Sequence, residues 1–259
     1  MQRRKFIKSA AVGTSLASAG FAAMGMPRQA TNKEIYELRE YEIARSGRVA
    51  KLDKYLQQAL IPALNKYGVK KVGVFKEISE SEPVKVYVLI PYKSPEDYFG
   101  IPAKVSSDKD FIANSKEYDS TEESEKVFFR LNTKLMTAFD GLPEMIQPGD
   151  GKRIFELRTY EGYNEDAVKR KIDMFNKGEL PVFFKTGLNP VFFGEAIAGK
   201  DLPCLTYMVT FKDMEERDKN WDKFRVDPDW KKMSGDPKYA NTVSKISKTF
   251  LEPTEYSQI

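Results

Sequence analysis

A long internal repeat constrains the fold of this chain more than any other feature of its sequence. The segment Ile-Tyr-Glu-Leu-Arg-Glu-Tyr-Glu at residues 35–42 returns as Ile-Phe-Glu-Leu-Arg-Thr-Tyr-Glu at residues 154–161, which is an offset of 119 residues. At the same offset Gly68 matches Gly187. Solenoid repeats span about 20–50 residues, so a period of this length indicates a duplicated domain instead. Any site is therefore built on a scaffold of two related halves.

Each half shows the pattern strand, helix, strand, strand, helix, strand. We assign the halves to residues 31–141 and 152–259, with a Pro/Gly-rich seam from Gly141 to Gly151. The order βαββαβ is that of a ferredoxin-like domain, an antiparallel sheet with two helices on one face. The other face of the sheet needs a partner, which the second copy supplies. The predicted fold class is α+β, with two tandem ferredoxin-like domains forming a pseudo-dimeric α+β barrel.

Local signals predict where helices begin and end. Residues 48–66 carry an apolar stripe with helical spacing, and Gly68 stands where a glycine commonly ends a helix. Pro62 predicts a kink or an early end of this helix, because proline lacks an amide hydrogen. In the second half, Asp227 followed by Pro228 predicts that one helix ends and another begins, with Asp227 as the N-cap.

The first 30 residues have the features of a twin-arginine signal peptide and linker. Arg3 and Arg4 open a basic region, and residues 9–26 are small and weakly apolar, with Ala-Ser-Ala at 17–19 as one cleavage triplet. This stretch is too short and too rich in Gly, Ser and Thr for a membrane span. We expect export by the twin-arginine route to the periplasm or another extracytoplasmic space, with no stable membrane insertion after signal removal. The alternative is a disordered or membrane-anchoring amino terminus.

Residue counts exclude several classes of function. The formal net charge of +4 comes from 42 basic and 38 acidic residues, and the first 19 residues hold four of the basic ones and no acidic one. The remainder is balanced at 38 of each sign, so no nucleic-acid partner is predicted. The chain has no histidine and one cysteine, which excludes haem, zinc and iron–sulfur sites built on those residues. We predict no metal and no cofactor, and a buried, inert thiol at Cys204.

The repeated Glu-Leu-Arg-x-Tyr segment supplies the first candidate site. Side chains alternate along a strand, so three polar residues of each copy share one face. These are Glu37, Arg39 and Tyr41 and, in the second copy, Glu156, Arg158 and Tyr160. If the intervening apolar residues pack under the helices, the polar set faces the barrel interior or its mouth, where an arginine would anchor an anionic or carbonyl ligand. The structural alternative is a Glu–Arg ion pair that bridges the sheets at the seam between the halves.

A second candidate is the aromatic segment Trp-Asp-Lys-Phe-Arg-Val-Asp-Pro-Asp-Trp at residues 221–230. One hypothesis places Phe224 or Trp230 on the wall of a ligand pocket. The other is that these aromatic side chains fill the space between the helices and the sheet.

Together these segments resemble the NIPSNAP family. Tandem ferredoxin-like repeats that open with [IV]-[YF]-E-L-R-x-Y are similar to that family, and W-x-x-F-x-x-D-P-x-W resembles its most recognisable motif. The resemblance covers roughly residues 33–255 and is worn in the first copy, where Asp110-Phe111 stands in place of Asp229-Trp230. It implies the dimeric α+β barrel superfamily, which also holds small cofactor-independent monooxygenases. It implies no reaction, because the family lacks a well-defined enzymatic activity and this chain lacks the histidine that superfamily enzymes often use. Together with the twin-arginine features of the amino terminus, the resemblance predicts an exported bacterial member of the family.

Three hypotheses for function stay open. The leading one is an exported, non-catalytic protein that binds a small molecule or a partner through its barrel. The second is a cofactor-independent monooxygenase- or isomerase-like enzyme in which Arg39, Arg158, Tyr41 and Tyr160 stabilise an enolate-like anion. The third is a pure interaction module with a solidly packed barrel and an exposed apolar patch. The first two require a pocket near the Glu-Leu-Arg strands. Two alternatives stay open for self-association: a homo-oligomer, because superfamily members commonly pair, or a single chain whose internal duplication already supplies that pairing. The sequence also leaves undetermined the ligand or reaction and which repeat holds an open pocket.

Overall fold

The computed structural model describes residues 33–44, 48–79 and 82–259, which form eight antiparallel strands closed into one barrel with helices outside it. The predicted signal peptide and most of its linker lie outside the described residues. The strands are β1 (Ile35–Ile43), β2 (Gly73–Glu77), β3 (Val84–Tyr92), β4 (Arg130–Ala138), β5 (Ile154–Glu161), β6 (Pro190–Ala198), β7 (Cys204–Phe211) and β8 (Lys245–Pro253).

The helices follow the predicted order in each half. They are α1 (Val49–Tyr55), α2 (Ile61–Lys66), α3 (Pro95–Ser106), α4 (Lys109–Asp119), α5 (Glu165–Met174), α6 (Leu180–Thr186), α7 (Met214–Val226) and α8 (Pro228–Ser234), with short 3₁₀ turns at Glu123–Glu125 and Pro237–Tyr239. Among the residues described, none of the helices combines the length and apolarity that crossing a membrane requires.

The barrel is two ferredoxin-like sheets joined at both edges. The strand order is β1-β3-β2-β8-β5-β7-β6-β4, so each half contributes a sheet in the order fourth, first, third, second strand. The halves meet where β2 pairs with β8 and where β4 pairs with β6. Closure leaves no free sheet edge in the barrel. The predicted pseudo-dimeric α+β barrel is confirmed.

The apolar residues of β1 and β5 face the barrel interior, which reverses the expected orientation. Tyr36 and Leu38 form one buried cluster with Phe155 and Leu157, and the Tyr36 ring lies 5.1 Å from that of Phe192. Glu37, Arg39 and Tyr41 and their second-copy equivalents therefore point outward, under the helices. Alternation of side chains divides a strand into two faces but does not show which face is inside the barrel. Here one face packs in the interior and the other is covered by helices, so burial does not distinguish them.

Each half has a π-helical turn directly before the helix that contains the repeated proline. Leu56–Leu60 joins α1 to α2, and Phe175–Glu179 joins α5 to α6. Pro62 was expected to kink or end its helix, yet α2 continues to Lys66. The residue four positions before Pro62 lies in the wider turn, which gives its carbonyl room away from the proline ring.

The predicted helix ends are confirmed. Gly68 has φ +92° and Gly187 has φ +81°, the left-handed region that glycine tolerates. The Asp227 carboxylate accepts hydrogen bonds from the amides of Asp229 and Trp230 at the start of α8. Asp108 caps α4 in the same way at the equivalent position of the first half.

One end of the barrel is plugged by the seam and by the carboxyl terminus. Met145 is buried in the interior cluster, and its amide donates a 2.6 Å hydrogen bond to the Glu34 carboxylate just before β1. Ile259 packs against the same cluster. At the opposite end, where β1 and β5 finish, a cavity opens between the strands.

Candidate functional site

The predicted polar residues of β5 lie in a buried ion-pair network between the sheet and the helices, which we call the helix-side cluster. Its members are Glu156, Arg158, Tyr160, Lys171, Glu179, Tyr207, Arg217 and Trp221. They come from β5, β7, α5, α7 and the second π-helical turn.

Glu156 is the centre of this network and is fully buried. Its carboxylate accepts hydrogen bonds from Arg158 at 2.5 Å, from Arg217 at 2.8 and 2.9 Å, and from the Trp221 indole at 2.9 Å. Burial alone would raise the pKa of Glu156, but the two guanidinium groups outweigh it and hold that pKa below its ordinary value. Both oxygens are thus occupied by the protein itself.

Arg158 is also committed to its neighbours. Besides Glu156, it donates a 3.0 Å hydrogen bond to the Tyr160 hydroxyl, which lies 2.8 Å from the Tyr207 hydroxyl. The guanidinium carbon lies 4.6 Å from the centre of the Trp221 ring. The Nε atom of Arg158 is buried without a hydrogen-bond partner. The contacts of the Arg158 guanidinium are therefore with Glu156, Tyr160 and Trp221 of the protein itself.

A second ion pair lies deeper in the same layer. Lys171 Nζ is 2.7 Å from the Glu179 carboxylate and is surrounded by aromatic rings, 4.6 Å from the centre of Phe175 and 5.3 Å from that of Trp230. Burial raises the pKa of Glu179 above its ordinary value, although Lys171 acts in the opposite direction. Without Lys171, the ionised form of this buried carboxyl would have no partner for its charge.

The equivalent residues of β1 form a smaller network. Arg39 donates to the Glu37 carboxylate at 2.7 and 3.2 Å, and Tyr92 donates to it at 3.2 Å. Both Glu–Arg pairs are thus formed within one strand, and each lies under its own helices, not at the seam between the halves. The predicted pairing of each glutamate with the arginine two residues on is confirmed, whereas its predicted position as a bridge between the sheets at the seam is wrong.

Phe224 and Trp230 lie on the helix side of the cluster. The Phe224 ring packs 5.1 Å from Phe183 and 4.5 Å from Trp230. Phe224 is buried, and Trp230 is partly buried and covers Lys171. In this arrangement they fill the layer between helices and sheet. A role for either side chain, or for the Glu-Leu-Arg-x-Tyr residues, in binding a ligand stays a prediction.

The opposite face of the same strands lines an open cavity at the unplugged end of the barrel, which we call the mouth cavity. Its volume is about 220 Å³. Its lining consists of Leu38, Glu40, Lys85, Tyr87, Asn132, Thr133, Lys134, Leu157, Thr159, Lys200, Asp201, Ser247 and Thr249. These residues come from five strands, β1, β3, β4, β5 and β8, and from the β6–β7 loop.

Lys134 is the distinctive residue of the mouth cavity. It projects inward from β4 and is only 7% exposed. Its ammonium lies 3.3 Å from the Thr206 hydroxyl and 3.4 Å from the Thr159 hydroxyl. Within the described part of the chain, the carboxylate paired with it is that of Asp201, 3.9 Å away and beyond hydrogen-bond distance. A buried cation held by neutral hydroxyls leaves room for an anion.

Two further lysines and one carboxylate stand at the rim. Lys200 lies 3.0 Å from the Glu40 carboxylate, which also accepts a 3.3 Å hydrogen bond from Asn132. Burial raises the pKa of Glu40, but the lowering by Lys200 and Lys85 is larger, so the pKa of Glu40 lies below the ordinary value. Glu40 therefore stays ionised and paired near neutral pH.

Cys204 starts β7 beside this group. It is buried, as predicted, and burial raises the pKa of its thiol even though Lys134 acts to lower it. The thiol form is therefore favoured near neutral pH.

Sequence analysis did not single out Lys134. The alternation in β4 places Asn132, Lys134 and Met136 on one face, which was the available signal. Nothing in that strand says whether this face is inside the barrel. Larger grooves occur on the surface, such as one of about 780 Å³ beside Ile78 and Met214. The mouth cavity differs from that groove because its lining includes a buried lysine with no carboxylate within hydrogen-bond distance.

Comparison with known proteins supports the fold and finds a similarity to one family in the second half of the chain. Residues 155–258 match the NIPSNAP family model. A comparison with curated proteins gave no match.

Two solved structures resemble the whole barrel, and a third resembles part of it. A candidate monooxygenase from Fusobacterium nucleatum aligns with a TM-score of 0.56 and 10% identity over 86% of this chain and 93% of that chain. A second, from Lactobacillus acidophilus, aligns with a TM-score of 0.55 and 11% identity over 85% of this chain and 94% of that chain. A NIPSNAP family protein of unknown function from Agrobacterium tumefaciens covers 43% of this chain and 97% of its own, at 16% identity and a TM-score of 0.38. At 10–11% identity the likeness shows the fold alone.

Proposed function

We propose that this protein, whose residues 155–258 match the NIPSNAP family model, binds a short carboxylate that carries hydroxyl or carbonyl oxygens, in the mouth cavity of its barrel. The observation that carries the proposal is the buried ammonium of Lys134, which faces the cavity with two hydroxyls as its hydrogen-bond partners. A carboxylate placed there would supply the charge-assisted hydrogen bond that Lys134 lacks.

The charge of the lining favours a single negative charge. Three lysines and two carboxylates line the cavity, which leaves one net positive charge. The carboxylates of Glu40 and Asp201 would repel a doubly charged phosphate more strongly than a carboxylate. Hydroxyls of Thr159, Ser247 and Thr249 offer partners for neutral oxygens of the ligand.

The size of the cavity favours a small molecule. Its volume of about 220 Å³ is below the ~300–1,000 Å³ of sites for drug-sized ligands. A ligand of a few carbon atoms fits this space, and a nucleotide or a peptide segment does not.

Calorimetric titration of the full chain with lactate tests this proposal. The expected result is saturable binding that Lys134→Met weakens about tenfold or more, which corresponds to about 1.4 kcal/mol. The matched control is Lys248→Met, which removes an exposed lysine on the outer face of β8 and should bind like the parent. Circular dichroism confirms that both variants fold. Absence of binding, or equal weakening by the two variants, would contradict the proposal.

The oxygenase alternative receives less support from the geometry. It requires Arg39 or Arg158 to face a substrate anion, and each guanidinium is hydrogen-bonded to the glutamate two residues before it. The two candidate monooxygenases share the fold with this chain at 10–11% identity. If lactate fails to bind and the protein captures no small molecule, the interaction module becomes the better hypothesis.

Export by the twin-arginine route is part of the proposal. It is supported by the basic Arg3-Arg4 segment and the weakly apolar stretch that follows. Replacing both arginines with lysine should retain the protein in the cytoplasm of a bacterium that has this pathway, as judged by cell fractionation. Unchanged export of that variant would contradict the assignment.

A further inference from the structure

We infer that Lys134 is a nucleophile that forms an imine with the carbonyl carbon of a short 2-oxocarboxylate in the mouth cavity. The inference rests on the proposed function, because the carboxylate of the ligand must first bind beside this lysine. It adds a covalent chemistry and a substrate class, the 2-oxo acids, to that site.

The first argument is the way the buried cations are paired. Lys171 lies 2.7 Å from a carboxylate and Arg158 lies 2.5 Å from one, so both are structural ion pairs. Lys134 is equally buried, but its paired carboxylate is 3.9 Å away. Burying an ammonium is costly unless it is paired and hydrogen-bonded. A lysine kept in this position is therefore better explained by what enters the cavity than by the stability of the barrel.

The second argument is that the groups needed to move protons surround the amine. The hydroxyls of Thr159 and Thr206 lie 2.8 Å from each other and 3.3–3.4 Å from Nζ, so they form a continuous chain of hydrogen bonds with it. The Asp201 carboxylate lies 3.9 Å from Nζ and can accept the proton that frees the amine.

The reaction balances without a further reagent. The Nζ lone pair attacks the carbonyl carbon, a C–N bond forms, and the π electrons of the carbonyl move to its oxygen, which takes up a proton from nitrogen. The carbinolamine then loses its hydroxyl with the second nitrogen proton as water, and the nitrogen lone pair forms the C=N bond. The overall change is amine plus carbonyl giving imine plus water.

The third argument is that the cavity supplies a partner for each end of such a molecule. While Lys134 is an ammonium it attracts the carboxylate, as in the proposed function. Once it has lost a proton and attacks the adjacent carbonyl, Lys85 and Lys200, which line the same cavity, can hold the carboxylate. The remaining hydroxyls of the lining offer hydrogen bonds to a hydroxyl on the ligand.

Reductive trapping tests the inference. The full chain is incubated with pyruvate and sodium cyanoborohydride, and the reduced adduct is located by intact-mass and peptide mass spectrometry. We expect one adduct at Lys134, formed about tenfold or more faster than at the exposed Lys248, because a bound carbonyl has a high effective concentration. Lys134→Arg keeps the positive charge and should lose the adduct. Cys204→Ser should keep it, which separates the amine from the neighbouring thiol.

The result distinguishes the two proposals. Lactate binding without a selective adduct at Lys134 overturns the imine and leaves carboxylate binding intact. A selective adduct without lactate binding supports the nucleophile and contradicts the general carboxylate site. Adducts spread equally over exposed lysines overturn the inference, and retention of the adduct in Lys134→Arg does the same.

Discussion

The two halves share one backbone plan and differ in what fills the layer between sheet and helices. The π-helical turns fall at equivalent positions, Leu56–Leu60 and Phe175–Glu179. At the 119-residue offset, Lys171 and Glu179 of the second half correspond to Leu52 and Leu60 of the first. The first half shows that apolar packing is sufficient for this architecture, so the buried ion pair of the second half is not needed to build it.

The halves differ inside the barrel as well. Leu38 on β1 pairs with Lys134 on β4, and the equivalent Leu157 on β5 pairs with Thr249 on β8. At this position the first half thus supplies the buried lysine of the mouth cavity, and the second half supplies a hydroxyl. A duplicated barrel has one shared interior, so a site in it can combine different residues from related positions.

Removing the central carboxylate of the helix-side cluster should have the largest effect. Glu156→Ala leaves Arg158 and Arg217 without their shared partner, and we expect a loss of about 3–5 kcal/mol in the free energy of unfolding. Glu37→Ala, the matched change in the first half, affects one arginine and should lower it by only about 1–3 kcal/mol. Urea unfolding measures both. Equal losses would show that the two networks are energetically alike.

Converting the second half to the chemistry of the first should be tolerated. The double variant Lys171→Leu with Glu179→Leu replaces a buried ion pair with apolar groups, so its free energy of unfolding should equal that of the parent or exceed it by up to about 4 kcal/mol. Lys171→Leu alone leaves a buried carboxyl unpaired and should be less stable than the parent. A double variant less stable than the parent would mean that the ion pair stabilises the fold.

The pH dependence of stability should separate the two carboxylates. Burial raises the pKa of Glu179 in the folded state, so the protonated form favours folding and this contribution is lost as the pH rises from about 4.3, the ordinary value, through the raised pKa. As the pH rises through this range, the free energy of unfolding of the parent should therefore fall relative to that of the double variant. Urea midpoints of both proteins at several pH values measure the difference. A difference that is constant with pH would contradict the raised pKa.

Glu156 should behave in the opposite way. Its folded pKa lies below the ordinary value, so its contribution is present above the unfolded pKa and is lost as the pH falls. The stability gap between the parent and Glu156→Ala should accordingly narrow in acid. A gap that widens in acid would be inconsistent with this assignment.

The smallest expected differences concern helix caps that the halves share. Ser94 accepts a 3.3 Å hydrogen bond from the Asp97 amide, and the equivalent Asp213 accepts one of 2.9 Å from Glu216. Replacing either residue with alanine should lower the free energy of unfolding by about 1 kcal/mol. The loss at Asp213 should be the larger, because its carboxylate also interacts with the helix dipole. Thermal unfolding of the two variants ranks them.

Much of the fold could be predicted because its signals are local. Hydrophobic periodicity and the repeat predicted the order of strands and helices. Gly68 and Gly187 predicted the ends of two helices, and the position of Asp227 before Pro228 predicted its role as an N-cap. The effect of Pro62 was not predicted, since the π-helical turn that accommodates it depends on how the helix packs. The direction in which Arg39 and Arg158 point was also missed, because an alternating strand covered on both sides carries no mark of its inner face.

The sequence by itself determined the duplication, the order of strands and helices, and the pairing of residues on each strand face, since these depend on neighbours a few positions apart or on similarity at a fixed offset. Only the tertiary structure decided that the Glu-Leu-Arg-x-Tyr residues lie under the helices, and that Lys134 on β4 meets Thr206 on β7 at 3.3 Å. The latter contact joins residues 72 positions apart. Both arrangements follow from closure of the barrel and from the coverage of each sheet face, which no short segment of the chain encodes.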